Sequence, residues 1–301
     1  MRLAKVELRF RVLGASCHIC IEDTNGQGED LLSRAKSELQ RLESKFSAQC
    51  STSVIARINK HAGGENIVSL DKESRSLFEF ANALWHESKH LCDPSSEILR
   101  SCYLGGRSVR DSRQFLSEQL PLVGWSKVEQ SPSGVRLSDR GMSIDLIRYV
   151  RPYAVDSIRR DFLKNGLNSA LISLGDDIAT IGKQHDGANW LIGVKYPKGS
   201  GIAITRLKLN DLGYCVGGGF EQSIVIGSER YGTALSPIDG QPIPGLLSVG
   251  VMADTCLAAR GAVSIAQVKT EQAALDWLET LGLPWVAIGR DLTCYGLLNS
   301  N

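Results

Sequence analysis

The chain has 301 residues, 43% of them hydrophobic and 22% charged, an ordinary globular composition that excludes a disordered or low-complexity protein. Its formal charge of +1 lacks the excess of Lys and Arg that nucleic acid or a membrane surface attracts, and no stretch of about 18 apolar residues predicts a transmembrane helix. Small molecules or other proteins are therefore the expected partners.

The N-terminal segment MRLAKVELRFRVLG alternates charged and apolar side chains, which predicts a strand. It lacks the apolar core of a secretory signal, so we expect a cytoplasmic protein if Met1 is the native start. The eight scattered cysteines then predict free thiols. Cys17 and Cys20 have CxxC spacing, but no second Cys or His pair completes a zinc site. Strand alternation favours two small residues on opposite faces over a metal or redox role.

Two amphipathic helices are predicted in the N-terminal half. Apolar residues three or four apart predict a helix over residues 29–46, whose acidic residues Glu29 and Asp30 suit the positive N-terminal end. A second helix is predicted over about 71–90. His86 and His90 have helical spacing within it, but a third metal ligand is missing, which favours ordinary surface residues.

The next elements surround a run of short strands. A helix is predicted over 152–164, with Pro152 in its first position and Gly166 as the left-handed residue that ends it. Strands at 170–174, 178–182 and 190–194 follow at short intervals and suggest an antiparallel meander.

The C-terminal part continues to mix strands and helices. A buried strand is predicted over 246–253, and Asp254 can open a helix that reaches about Val268. A helix over 270–281 and a strand pair around Arg290 complete the chain. Because the order shows no regular βαβ spacing, the sequence predicts a mixed α+β fold, with a mainly antiparallel sheet and packed helices, rather than a doubly wound sheet.

A candidate anion site lies before the third helix. Asp145 is followed by Arg148, Arg151 and a Pro-started helix, and a helix N-terminus offers free backbone N–H groups. Taken alone, surface charges that flank a helix start are the favoured interpretation. Glycines 217–219 are equally ambiguous, because they allow either a close ligand or a bend between strands.

The order and spacing of eight segments resemble the ApbE family, the FAD:protein FMN transferases. No single segment is diagnostic, but together they cover nearly the whole chain in the family's order. The segments are Leu13-Gly14-Ala15, Phe46-Ser47 with Ser53 and Asn59, CDPS at 92–95, 144–156, LGDDI at 174–178, GGGFE at 217–221, SPIDGQP at 236–242, and Ala253-Asp254.

The resemblance implies a single ApbE-like, T-fold-like domain over residues 1–301. It also implies transfer of FMN from FAD to a Thr or Ser hydroxyl of a partner flavoprotein, with Mg²⁺ bridging the site and AMP released. By the same resemblance, Asp254 would hold the metal. The cofactor-binding positions implied are Asp93, Asp145, Arg151, Asp177 and Gly218. A catalytic residue is not assigned.

Several polar positions of the family pattern are replaced here, while the framework glycines, prolines and Trp190 are kept. Two functions stay open as a result. One is a divergent but active transferase with altered metal use. The other is a paralogue that binds a flavin nucleotide, a related anion or a protein partner without transfer. The replacements are Ile147 and Arg148 for two glycines, Arg151 for Lys, Pro152 for Gly, Thr233 for His, Ser236 for Asp, and Ala258 for a Thr metal ligand.

The arginines at positions 148 and 151 suit the second function, binding without transfer. Two guanidinium groups, from Arg148 and Arg151, can pair with phosphates that Mg²⁺ would otherwise cover. An unrelated activity on the same scaffold is a third alternative, because a fold does not fix a function.

Overall fold

The structure is a computed structural model that describes residues 4–23, 26–103, 109–195, 203–218, 223–226 and 229–296. Within these ranges the chain forms fourteen strands. In chain order they are β1 (Ala4–Val12), β2 (Ala15–Asp23), β3 (Val128–Ser131), β4 (Gly134–Leu137), β5 (Ala170–Leu174), β6 (Asp177–Ile181), β7 (Trp190–Lys195), β8 (Ala203–Leu209), β9 (Gly213–Gly218), β10 (Ile224–Ile226), β11 (Glu229–Tyr231), β12 (Ser248–Ala253), β13 (Trp285–Ile288) and β14 (Cys294–Gly296).

Helices separate these strands, and none in the described part of the chain is long and apolar enough to cross a membrane. Three short 3-10 helices span Pro94–Cys102, Leu120–Leu122 and Trp125–Lys127. The α-helices are α1 (Gly28–Phe46), α2 (Val54–Lys60), α3 (Lys72–Glu87), α4 (Val109–Gln119), α5 (Ile147–Lys164), α6 (Cys256–Gln267) and α7 (Glu271–Thr280).

One eight-stranded sheet organises the fold, in the order β1-β2-β5-β6-β9-β12-β13-β14. Each neighbouring pair of strands in it is antiparallel. The remaining strands form three separate hairpins, β3–β4, β7–β8 and β10–β11. The predicted fold class, a mixed α+β protein with a mainly antiparallel sheet and packed helices, is confirmed.

The sheet buries both faces against different partners. On one face Leu39 of α1 and Phe162 of α5 are fully buried in the main core. On the other face the β7–β8 hairpin covers the sheet, and its Trp190 packs in a second cluster. The two cysteines of the CxxC segment divide between the faces, with Cys17 in the main core and Cys20 in the second cluster. Burial raises their pKa to about 12 and 11, which suits small core residues and not reactive thiolates.

The N-terminal elements follow the prediction closely. The predicted strand is β1, and the predicted helix over 29–46 is α1. The next predicted helix is α3, which begins after Asp71, whose carboxylate accepts a hydrogen bond from the Ser74 N–H at 2.9 Å. Helix α2, which lies between α1 and α3, is not among the predicted elements. Helix α3 ends at Glu87 and not at His90. Lys89 and His90 have positive φ values of 54° and 73°, so the chain leaves the helical conformation before them.

The predicted start of the helix after Asp145 is wrong. Helix α5 begins at Ile147, and Pro152 lies inside it and not in its first position. Asp145 Oδ1 accepts a hydrogen bond from the Ile147 N–H at 2.7 Å, which starts the helix five residues earlier than the proline signal. Pro152 removes only the hydrogen bond that the Arg148 carbonyl would accept. The predicted stop holds, since Gly166 has φ 76°.

Two other predictions need correction. The strands at 170–174 and 178–182 pair in the main sheet as β5 and β6, but the third strand, β7, leaves to pair with β8. The three therefore do not form one meander. Asp254 does not open α6 itself, because Thr255 is the N-cap and accepts a hydrogen bond from the Ala258 N–H at 3.2 Å.

Close contact between the sheet and α6 requires Gly213 at the start of β9. A Cβ atom there would lie 2.4 Å from the Cys256 backbone nitrogen. We expect Gly213→Ala to lower the free energy of unfolding by about 1 to 3 kcal/mol, because backbone cannot move away as a side chain can. The matched control is Gly261→Ala in α6, where the nearest contact, with Leu84, is an ordinary 3.4 Å. Denaturant unfolding measures both, and equal stabilities would contradict the packing account.

Candidate functional site

A cleft of about 40 Å³ lies where the 3-10 helix Pro94–Cys102, the start of α5, helix α6 and the segment 233–235 meet. The side chains that line it carry both signs of charge and four hydroxyl groups. Those that matter below are Asp93, Glu97, Asp145, Arg148, Thr233 and Ser264.

Asp145 is held in place by backbone contacts on both sides. The Asn59 side chain donates to the Ile144 carbonyl at 3.0 Å and accepts from the Ile144 N–H at 2.9 Å. The Asp145 N–H donates to the Pro94 carbonyl at 3.1 Å. Asp145 Oδ1 is used by Ile147, whereas Oδ2 accepts no hydrogen bond from any described residue. Burial raises the pKa of this carboxyl, against the opposing effects of the Ile147 N–H and the Arg151 charge.

Asp93 lines the same cleft, but its oxygens are occupied. Oδ1 accepts from the Ser95 N–H at 2.8 Å and from the Ser95 hydroxyl at 2.6 Å, and Oδ2 accepts from the Trp125 N–H at 2.8 Å. Only 8% of the residue is exposed, and burial raises the pKa of its carboxyl. These bonds give Asp93 a structural role as the cap of the 3-10 helix, and its predicted contact with a nucleotide stays a prediction.

An ion pair between Arg148 and Glu97 crosses the cleft. Arg148 Nη2 lies 2.6 Å from Glu97 Oε1, and each side chain is 30% exposed. Arg100 Nη1 approaches the other Glu97 oxygen, Oε2, at 3.7 Å. Burial of the Glu97 carboxyl works to raise its pKa, but Arg148 and Arg100 outweigh burial and leave that pKa lowered. A permanent positive charge therefore lies in the cleft, held by one carboxylate with two arginine neighbours.

Arg151 supports the loop between β1 and β2. Its Nε donates to the Leu13 carbonyl at 2.9 Å, and Glu43 accepts from the Leu13 N–H at 2.6 Å. Leu13 and Gly14 both have positive φ values, 53° and 69°, as a two-residue hairpin turn requires. The Nη1 and Nη2 atoms of Arg151 donate to no described residue, so this side chain keeps hydrogen-bond donors for a ligand.

Asp177 forms a buried ion pair that the sequence did not predict. Its Oδ1 accepts from Arg260 Nε at 3.1 Å and Nη2 at 2.5 Å, and only 2% of Asp177 and 6% of Arg260 are exposed. Arg260 Nη1 also donates to the Val216 carbonyl at 3.0 Å. Asp177 is thus bound to α6, and its predicted contact with a cofactor stays a prediction. One signal for Arg260 was present, since it interrupts the Ala-rich face of a predicted helix.

The glycines of β9 serve backbone packing. Gly218 has φ 78°, and a Cβ atom there would lie 2.2 Å from the Leu247 carbonyl oxygen. A Cβ atom at Gly217 would lie 2.4 Å from Gln267 and Val263. These contacts explain both residues without a ligand, so the cofactor contact predicted for Gly218 stays a prediction. Residues 219–221, the rest of that motif, lie outside the described residues.

The family model of the ApbE family matches residues 13–286. This chain belongs to the ApbE family. It is 23% identical to the FAD:protein FMN transferase of Treponema pallidum over 251 residues, which cover 77% of this chain and 69% of that protein. It is 27% identical to an FAD:protein FMN transferase of Klebsiella pneumoniae over 222 residues, 71% of this chain and 67% of that protein.

Solved ApbE structures share the fold. The ApbE protein from Thermotoga maritima superposes with a TM-score of 0.81 at 24% identity and covers 97% of both chains. The flavin transferase ApbE from Vibrio cholerae gives a TM-score of 0.84 at 18% identity, over 98% of this chain and 97% of that one. At these identities the structural likeness establishes the ApbE scaffold.

The start of α6, where the ApbE resemblance puts the metal, has few groups to offer. Asp254 is exposed, and its backbone carbonyl accepts from Arg159 Nη1 at 2.6 Å. The Cys256 and Leu257 N–H groups both donate to the Asp156 carboxylate at 2.9 Å. Ala258 has no oxygen in its side chain. Among the described residues no group of three His, Cys, Asp or Glu side chains could hold a metal ion. The residues present do not fit an Mg²⁺ site.

Thr233 and Ser236, which the resemblance interprets as replaced positions, have separate surroundings. Thr233 is buried in the cleft wall. Ser236 stabilises its own turn, because its hydroxyl accepts from the Ile238 N–H at 3.3 Å and the Asp239 N–H at 3.4 Å. Neither side chain is ionisable, whereas the His and Asp that the resemblance expects at these positions can each carry a charge.

The Arg260–Asp177 pair yields a stability prediction. We expect Arg260→Met to lower the free energy of unfolding by about 3 to 5 kcal/mol, because it leaves Asp177 charged and buried without its partner. The double variant Arg260→Met, Asp177→Asn is expected to recover part of that loss. As a control, Arg136→Met breaks the exposed pair with Glu129 and is expected to cost at most about 1 kcal/mol. Urea unfolding that gives Arg260→Met the same small cost would refute the assignment.

Proposed function

We propose that this ApbE-family protein takes FAD as its substrate and transfers FMN to a Thr or Ser hydroxyl of a partner flavoprotein, at a site that differs from the family pattern. One observation carries the proposal. Asp145, at the start of α5, keeps a free carboxylate oxygen in a cleft that also contains Arg148. The curated relatives named above, both FAD:protein FMN transferases, support FAD as the ligand.

The chemistry defines what the cleft must supply. The phosphoanhydride bond of FAD breaks between FMN and AMP, a phosphoester bond forms to the acceptor oxygen, and the acceptor hydroxyl loses its proton. Asp145 Oδ2 suits the proton, because burial raises the pKa of this carboxyl and makes it a better base. The free Nη atoms of Arg151 suit the charge on the departing AMP phosphate.

A second candidate is an FAD-binding protein that does not transfer FMN. The Arg148–Glu97 ion pair favours it, because a guanidinium group lies in the cleft and no group of three His, Cys, Asp or Glu side chains among the described residues could hold a metal ion. Two arginines can neutralise a diphosphate for binding, yet a fixed charge does not replace every role of a bound metal in phosphoryl transfer.

The proposal treats residues 1–301 as one ApbE-like domain and its partner as a flavoprotein with an acceptor Thr or Ser. A cytoplasmic location stays a prediction of the sequence, as does the use of Mg²⁺.

Asp145→Asn tests the proposed base. With FAD, Mg²⁺ and an acceptor domain that other ApbE proteins label, we expect the wild type to release AMP and to make the acceptor fluorescent in a denaturing gel. The variant is expected to lose about 100-fold or more of the AMP release rate, the usual contribution of a general base, while it still binds FAD.

Asp139→Asn is the matched control, because Asp139 is an exposed carboxylate paired with Lys127. It is expected to match the wild type. FAD binding by the wild type without AMP release would establish the second candidate. Absence of FAD binding would overturn the proposal as a whole.

A further inference from the structure

We infer that Arg148 takes the place of a divalent cation at the FAD diphosphate, and that Glu97 holds this arginine in position until the nucleotide arrives. The inference rests on the proposed binding of FAD. It adds that binding at this site needs no metal ion, in contrast to what the family resemblance implies.

The start of α6 offers few ligands to a metal ion. The nearby Asp156 carboxylate is already used, because it accepts hydrogen bonds from both the Cys256 and Leu257 N–H groups. Ala258 offers no oxygen, and no described cluster of three His, Cys, Asp or Glu side chains could bind an ion. A guanidinium group in the cleft would in addition repel a divalent cation placed close to it.

Arg148 has hydrogen-bond donors that remain available to a ligand. Only its Nη2 is engaged, at 2.6 Å from Glu97 Oε1, whereas Nε and Nη1 donate to no residue in the described part of the chain. A guanidinium group binds a phosphate through two parallel N–H groups, which a point charge cannot imitate. The side chain is 30% exposed, so a ligand in the cleft can reach it.

Glu97 also has a second ion-pair partner, Arg100. Arg100 Nη1 lies 3.7 Å from Glu97 Oε2. If Arg148 turns toward a phosphate, Glu97 keeps an ion pair with Arg100 and is not left as an unpaired, partly buried charge. The exchange of partners therefore avoids most of the cost of breaking the Arg148 contact.

The Ser264 hydroxyl in the cleft wall is unpaired among the described residues. Ser264 is only 2% exposed, and its Oγ has no hydrogen-bond partner among the described residues. Buried polar atoms rarely stay unpaired in a native protein, so this hydroxyl indicates a missing ligand group or water. Ser264 lines the same cleft as Arg148.

Equilibrium dialysis of FAD against the whole protein tests the inference, once with Mg²⁺ and once with EDTA. We expect the wild type to bind FAD equally in both buffers, within about twofold. Arg148→Gln is expected to weaken binding about tenfold or more, since a charged hydrogen bond is lost. Glu97→Gln is expected to strengthen binding, because Arg148 is released. Arg136→Gln, which removes an exposed arginine paired with Glu129, is expected to bind as the wild type does.

The double variant Glu97→Gln, Arg148→Gln separates charge from folding, because it removes both members of the ion pair together. It is expected to unfold thermally near the wild-type temperature and to bind FAD as weakly as Arg148→Gln. Wild-type binding that requires Mg²⁺ would overturn the inference while leaving FAD binding intact, and so would unchanged binding by Arg148→Gln or by the double variant. If the wild type binds no FAD in either buffer, the proposed function fails and the inference fails with it.

Discussion

The buried ion pair between Asp177 and Arg260 is the interaction on which the arrangement around the cleft depends. It fixes α6 against the central strands, with both side chains almost fully buried. Asp156 of α5 adds a second constraint, since its carboxylate accepts the first two N–H groups of α6. The start of α6 is thereby held against the middle of α5, and the side chains that the two helices present to the cleft have fixed backbones behind them.

The charged side chains around the cleft differ in whether they keep oxygens or N–H groups free for a ligand. Asp156 and Asp93 use both carboxylate oxygens for hydrogen bonds within the protein, and Asp177 is bound to Arg260 through Oδ1, so all three have structural roles. Asp145 keeps one oxygen free, and Arg148 and Arg151 keep free donors. Arg148 and Arg151 thus place two arginines with unused donors on an ApbE scaffold. A site of this kind favours recognition of a diphosphate by hydrogen bonds that stay fixed in number and direction.

Local patterns predicted much of the fold, and long-range contacts account for the rest. The helix α1 and the strand β5 could be predicted because apolar residues recur at the right period over their whole length. The start of α5 could not, because Pro152 is a strong start signal, whereas the helix begins at Ile147, whose N–H donates to Asp145 Oδ1. The Arg148–Glu97 pair joins residues 51 positions apart, and Arg260 meets Asp177 across 83 positions. Hydrophobic periodicity carries no information about such pairs. The order of the ApbE-like segments, in contrast, predicted Asp145 as a site residue, and it lies in the cleft.

The central claim is that a guanidinium group, and not a metal ion, faces the diphosphate of FAD in this cleft. A crystal structure of the protein with FAD, grown with Mg²⁺ present, tests it most directly. The account predicts Arg148 within hydrogen-bond distance of a diphosphate oxygen, Glu97 paired with Arg100, and no ion between the phosphates and Asp254. An Mg²⁺ ion bound to Asp254 and the diphosphate, with Arg148 still paired to Glu97, would contradict it.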